Sequence, residues 1–158
     1  MTLLLTLLAC GNDTSVGAGG NQISTVPEDA SAQFSAGSFE WASVVVGFSN
    51  SQPLTIGSIG EGALLIYEIK LVTNPQSAFY FDEVEDIQLE PGQEATYSIV
   101  VNLDAGWDLA TYAEGTLRVK TNDVECVSVL VPLLAYPEGF TGTPPDADTA
   151  ATPAADCL

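Results

Sequence analysis

Apolar residues in the middle of this chain recur at every second position, and a chain patterned that way buries them as strands of a sheet. Tyr97, Ile99, Val101 and Leu103 alternate with Ser98, Val100 and Asn102, and Leu117 and Val119 alternate with Thr116, Arg118 and Lys120. Val127, Val129, Val131 and Leu133 line a further face, with Pro132 opposite, which places that strand at an edge or a strand end. Upstream, Val44, Val46 and Phe48 predict one strand and Leu54 with Ile56 the next. Leu65, Tyr67, Ile69 and Leu71 predict a longer strand, and Phe79 with Phe81 a short one. No segment carries a helical stripe. Turn chemistry separates the runs at Asn50-Ser51-Gln52-Pro53, Asn74-Pro75, Pro91-Gly92 and Asn122-Asp123. About seven short strands at this spacing predict an all-β fold, a single antiparallel β-sandwich over residues 34–137. Its expected core is Val46, Phe48, Leu65, Ile69, Phe79, Ile99, Val101, Leu117, Val119 and Val129.

The flanks differ in kind. Leu3, Leu4, Leu5, Leu7 and Leu8 form an apolar run too short for a membrane span of roughly 20 residues and right for a secretory signal. Leu7-Leu8-Ala9-Cys10 resembles the bacterial lipobox, whose cysteine takes a diacylglyceryl group before cleavage on its amino side. Residues 1–9 are therefore expected to be a signal peptide and Cys10 the lipidated first residue of the mature protein. No Lys or Arg precedes the leucines, a departure from the usual signal. Gly11 stands where inner-membrane lipoproteins commonly carry Asp, so by analogy the outer membrane is the expected address, on its periplasmic or its external face. Residues 10–33 are rich in Gly, Ser, Asn and Thr and read as a tether. About 23 such residues span roughly 25–30 Å. Residues 138–158, rich in Pro, Ala, Thr and Asp, read as an extended or disordered tail except where Cys157 pins it.

Charge narrows the partners. The 158 residues hold 21 Asp and Glu against Lys70, Arg118 and Lys120, a formal net charge of −18. Nucleic acid is excluded, because phosphate needs a basic footprint. Attraction to anionic lipid is excluded for the same reason, which leaves the acyl chains on Cys10 to hold the protein at a membrane. Histidine is absent, so the usual general base and the commonest metal ligand are missing. No phosphate-binding glycine loop occurs, and no pair of carboxylates is set across a cleft. The expectation is a non-catalytic protein without a cofactor.

The segment from Trp41 to Ala135 resembles the bacterial ASH-like, Hydin-related immunoglobulin-like domains found in secreted proteins of the choice-of-anchor D type. The residues that carry the resemblance come in order. Phe48-Ser49-Asn50-Ser51-Gln52-Pro53-Leu54-Thr55-Ile56 matches an asparagine turn followed by an apolar strand, and Phe79-Tyr80-Phe81 a later aromatic strand. Leu89-Glu90-Pro91-Gly92 matches the turn into the alternating strand that follows. Tyr112, Gly115, Leu117, Val119, Asn122 and Asp123 stand at the family's Tyr-x-x-Gly-x-Leu-x-Val-x-x-Asn-Asp, and Val131-Pro132-Leu133 closes the pattern. On the fold this implies, Asn50 and Asn122 adopt left-handed backbone or bond their own turns, and Gly92 supplies positive φ. Tyr112 is placed to bond backbone across a corner.

Four groups of residues remain as site candidates. Asp82, Glu83, Glu85 and Asp86 crowd one segment; a solvated acidic turn is the plain reading, and calcium through carboxylate oxygens the sharper one. Arg118 and Lys120 share the outward face of a strand and should pair with carboxylates on a neighbour. Trp107, in Asp104-Ala105-Gly106-Trp107-Asp108, is the aromatic best placed for a contact, whereas Trp41 belongs to the packing. Cys126 and Cys157, the thiols left once Cys10 is lipidated, are candidates for a disulfide in an oxidising compartment. The resulting expectation is an envelope lipoprotein whose sandwich is a structural or adhesive module for an unidentified protein partner. The alternative is a calcium- or carbohydrate-binding domain that uses its acidic loops.

Overall fold

The computed structural model describes residues 29–145; the signal segment, Cys10 and Cys157 lie outside them. Every regular element among the described residues is a strand, and the strands stack as two sheets, the expected sandwich. There are nine strands rather than about seven, in the order β1 (Ala32–Phe34), β2 (Phe39–Val44), β3 (Ser49–Ser58), β4 (Leu64–Thr73), β5 (Phe79–Tyr80), β6 (Val84–Leu89), β7 (Glu94–Asn102), β8 (Ala113–Thr121) and β9 (Ser128–Pro137). One sheet has the order β1-β3-β7-β5 and the other β2-β9-β8-β4-β6. Pairing is antiparallel except for β2, which lies parallel to β9 at the sheet edge. β2 arrives there because the chain leaves β1 in the first sheet and crosses to the second within Ser35–Ser38, too short a link to reverse direction.

The core forms where the two inner faces meet. Leu54 and Ile56 of β3 and Ile99 and Val101 of β7 face Ile66 and Ile69 of β4, Leu117 and Val119 of β8, and Val131 and Leu133 of β9, all fully buried. Trp41 and Phe79 stack at a centroid distance of 5.7 Å, with Phe39 6.1 Å from Trp41. Gly115 sits directly over the Phe79 ring, where a Cβ would come within 2.8 Å of it. Burial of this kind contributes roughly 25 cal/mol per Å² of apolar surface and is the main force holding the sheets together.

Three local expectations are corrected. The stretch Asn50–Pro53 is not a turn but part of β3, paired residue for residue with Val101–Ser98 of β7. Pro53 is tolerated there because β1 covers only Ile56–Ser58, leaving the other edge of β3 open where an N–H is missing. Asn50 is therefore extended, and positive φ among non-glycine residues occurs at Ser77 and Asp86. Phe48 is not core: β2 ends at Val44, Gly47 turns the chain with φ of 82°, and the Phe48 ring is left 69% exposed. In β4 the register shifts between Ile66 and Glu68, so Leu64, Ile66 and Ile69 point inward while Leu65 is half-buried and Tyr67 exposed.

Two asparagines and one aspartate close the ends. Asn74 clamps Phe79 through both its N–H and its C=O. Asn122 bonds across to Leu65 N–H and the Ala63 carbonyl rather than within its own turn. The buried Asp123 carboxylate accepts N–H bonds from Ala32 at 2.8 Å, Glu125 at 2.9 Å and Cys126 at 3.3 Å, fastening the start of β1 to the β8–β9 turn.

Candidate functional site

The topology gives the sandwich two unlike ends. One carries the Trp107 loop; the other receives the chain from its N-terminal side. At the receiving end, Ile59 N–H bonds the Ser31 carbonyl and Gly62 N–H that of Asp29, so the first described residues run against the β3–β4 connection. Gly60 permits this close approach, since a Cβ there would lie 2.0 Å from the Asp29 carbonyl oxygen. Cys126, 2% exposed, and the Asp123 turn belong to this same end.

The opposite end gathers the β2–β3, β4–β5 and β7–β8 connections and the chain after β9. Gly47 N–H bonds the Leu103 carbonyl, Glu138 N–H that of Val44, and Thr141 N–H that of Leu109, which draws the β2–β3 connection, the β7–β8 connection and the chain after β9 together. Trp107 is held by two bonds. Its backbone N–H reaches the Asp104 carbonyl at 2.8 Å, and its indole Nε1 donates to the Thr111 carbonyl at 3.0 Å. With its indole nitrogen satisfied, Trp107 is partly buried against the core and also lines an open cleft of about 450 Å³ with Gln76, Asp104, Asp108 and Thr111. At the same end Phe48, Val45 and Leu109 stand exposed. The receiving end also exposes Ile59, Val124 and Val127, but its loops carry no aromatic ring.

A second surface is the outer face of the five-stranded sheet. Glu68 of β4 sits among all three cations of the chain: Lys70 Nζ at 2.7 Å, Arg118 at 2.6 Å and Lys120 at 3.7 Å. The expected cross-strand pairing of Arg118 and Lys120 is present, centred on a glutamate the sequence did not single out. Hydrogen bonds from Lys70 and then Arg118 hold the Glu68 carboxyl at about 2, against an ordinary 4.5. Further along this face, Tyr112, Tyr136 and Phe140 form an aromatic trio with centroids 5.1–6.5 Å apart. Burial, with Glu40 adding its charge, pushes the Tyr136 hydroxyl above its usual range. A groove of about 770 Å³ beside the trio is lined by Asn74, Thr116, Pro132, Leu134 and Pro145.

The other sequence candidates are placed apart. Asp82 and Glu83 lie on the β5–β6 connection and Glu85 and Asp86 in edge strand β6, all exposed. Among the described residues no three His, Cys, Asp or Glu side chains come together in a way that could hold a metal ion. Trp41 is in the core, as expected. That the exposed Phe48, Val45 and Leu109 share an end with Trp107 was hidden from the sequence, because it depends on which loops share an end.

No protein-family model and no curated protein matches the sequence. Solved structures do. The ASH/PapD-like domain of human CEP192 (PapD-like domain 7) superposes with a TM-score of 0.53 at 12% identity, over 84% of this chain and 100% of that one. A protein of unknown function from Porphyromonas gingivalis W83 gives 0.57 at 15% identity over 73% of this chain, and the YadV chaperone 0.52 at 14% over 72%. This chain spans 51% and 55% of the length of those two proteins. The likeness is one of fold: the domain is an immunoglobulin-like β-sandwich, of the arrangement seen in ASH and PapD-like domains.

Proposed function

We propose that the protein is a non-catalytic lipoprotein of a bacterial outer membrane, anchored through Cys10, whose sandwich engages a protein partner through the Trp107 loop end. The observation that carries this reading is placement. The chain coming from Cys10 enters the domain at one end, and Trp107 with its exposed apolar neighbours lies at the other. Strands of nine or ten residues separate the two ends by about 30 Å. An anchor at the near end therefore turns the Trp107 loops away from the lipid, with the tether adding its own span. Half-buried tryptophan beside exposed aliphatic side chains is the composition of a contact centre, where aromatic anchors carry most of the affinity. The order of motifs from Phe79 to Leu133 supports a place among the choice-of-anchor D domains.

A second reading rests on the cleft itself. An indole edge flanked by Asp104, Asp108 and the Gln76 amide offers a sugar ring a stacking surface and hydrogen-bond acceptors and donors. The first reading is tested on membrane-extracted protein. Intact mass should show loss of Met1–Ala9 and addition of acyl chains at Cys10, and Cys10→Ser should move the protein to the soluble fraction. An intact Met1 terminus or an unchanged membrane fraction refutes the anchor. Saturable quenching of Trp107 fluorescence by a soluble oligosaccharide, absent in Trp107→Phe, would favour the second reading.

A further inference from the structure

We propose that the open edge of β7 at Thr96–Ser98 is a docking site for an extended, basic segment of a partner protein, which joins the four-stranded sheet there as a further strand. Along a strand the N–H and C=O of one residue point to the same side, and those of the next residue to the other. Asn102 N–H bonds the Ala78 carbonyl, so Asn102, Val100, Ser98 and Thr96 point away from β3, toward the side on which β5 lies. β5 is only Phe79–Tyr80 and pairs with Val101 and Val100. Past Tyr80 the chain leaves this sheet and forms β6 in the other. Among the described residues nothing bonds the N–H or the carbonyl of Thr96 or Ser98, although both stand in the middle of a strand held to β3 by nine consecutive pairs.

The other edges are closed to such an addition. β3 beyond β1 carries Pro53, which has no N–H; β6 carries Asp86 at φ of 52°, unpaired between Glu85 and Ile87; and β2 breaks its register between Trp41 and Val44. Proline and bulges keep edge strands from pairing. Ala95–Val101 has no proline, glycine, bulge or charge. The flank beneath this edge is apolar. β5 and β6 are joined by Phe81–Glu83 alone, so the edges of the two sheets meet here. Val84 and Ile87 face inward by their pairing with Ile69 and Ile66, and the Phe81 ring lies 6.3 Å from that of Tyr97, yet all four are only partly buried. An added strand lays alternate side chains over these four while its backbone takes up the Thr96 and Ser98 groups. Charge selects the occupant. Asp82, Glu83, Glu85 and Asp86 rim the flank, and none makes an ion pair among the described residues, because Lys70, Arg118 and Lys120 all close on Glu68. Glu85 stands opposite Glu68 in the β4–β6 pairing and adds like charge there. Such a rim attracts a basic segment and repels a second copy of this chain, at net −18.

Amide hydrogen exchange by NMR on the full chain carrying Cys10→Ser tests this. The probes are the synthetic peptide Lys-Val-Lys-Val-Lys-Val-Lys and its acidic counterpart Glu-Val-Glu-Val-Glu-Val-Glu. In the free chain the Thr96 and Ser98 amides should exchange fast, while those of Val100 and Asn102, on the stretch that β5 covers, are protected. Millimolar basic peptide should slow Thr96 and Ser98 several-fold and leave the Ser51 amide, on the stretch of β3 that β1 does not cover, unchanged. The acidic peptide should slow neither. Ser98→Pro, which removes one N–H from an exposed edge position, should abolish the effect at Thr96. If that variant does not fold, Asp82→Lys with Glu83→Lys, both exposed, should weaken the effect several-fold. Protection of Thr96 and Ser98 in the free chain overturns the proposal. So do no slowing at all, equal slowing at Ser51, equal slowing by the two peptides, or an effect that survives the variants unchanged. None of these readouts depends on the Trp107 end or on the anchor.

Discussion

Replacing Gly115 with alanine should destabilise the domain, although the substitution adds one methyl group to an inward-facing strand position. Two opposing terms set the size. Gly→Ala in a strand ordinarily gains about 0.5–1 kcal/mol, because the unfolded chain loses less freedom on folding. Against that, the new Cβ would stand 2.8 Å from Phe79 Cδ2, 3.2 Å from Cε2 and 3.2 Å from the Thr73 carbonyl oxygen. Carbon atoms pack at about 3.5–4.0 Å, so the ring or the strand must shift by several tenths of an ångström. The ring has nowhere to go. It is 1% exposed, stacked on Trp41, and its backbone is clamped on both sides by Asn74. Overpacking of this kind costs roughly 1–3 kcal/mol, which against that gain leaves a net loss of up to about 2.5 kcal/mol, near 1 kcal/mol at the middle of the two ranges. For a domain of this size that is a fall in Tm of roughly 4–8 °C per kcal/mol. Urea denaturation followed by circular dichroism and by Trp41 fluorescence would read it, and coincident transitions would validate the two-state analysis. Phe79→Leu, destabilising alone, should cost less in the Gly115→Ala background than in the native one, a coupling of about 0.5–2 kcal/mol. A stabilising Gly115→Ala, or additive effects of the two changes, would refute the placement of Gly115 over Phe79 and with it the sheet-on-sheet register.

Two further outcomes follow from polar groups. The Glu68 carboxyl should titrate near 2, and Lys70→Met or Arg118→Met should move it back toward 4.5, read by carboxyl carbon NMR. Because its folded value is depressed, the stability it supplies is complete above about 4.5 and is lost as pH falls from there through about 2. Asp123→Ala should cost about 2–4 kcal/mol by stranding the N–H groups of Ala32, Glu125 and Cys126, with hydrogen exchange of the β1 amides rising first. Asp123→Asn, which keeps one acceptor oxygen, should cost less.

The later half of the sandwich was legible because β7, β8 and β9 largely alternate, and they bury Ile99, Val101, Leu117, Val119, Val129, Val131 and Leu133 as their pattern marks, while Tyr97 is half-buried and Val127 falls outside β9 and is exposed. Where alternation breaks, reading failed for identifiable reasons. The shift between Ile66 and Glu68 moves β4 half a pleat, so a strict period picks Leu65 where the chain buries Leu64 and Ile66. Asn50–Pro53 has turn composition, yet nine consecutive pairs with β7 hold it extended, a case of long-range pairing outweighing local preference. The short β1 and β2 are set by partners far along the chain, Asp123 for one and β9 for the other, and nothing near them announces either. Trp107 was legible from its loop as a partly buried aromatic ring. Its exposed neighbours, and the convergence of three cations on Glu68, needed the topology.

The most direct test of the account is site-specific photo-cross-linking in living cells of the source organism. A photoreactive residue is placed in turn at Phe48 and Leu109 beside Trp107, and at Val124 at the opposite end, in the lipidated protein. The account predicts a discrete protein adduct from Phe48 and Leu109, lost on Trp107→Ala while the domain stays folded, and none from Val124. Adducts from Val124 with none from the Trp107 end would contradict it.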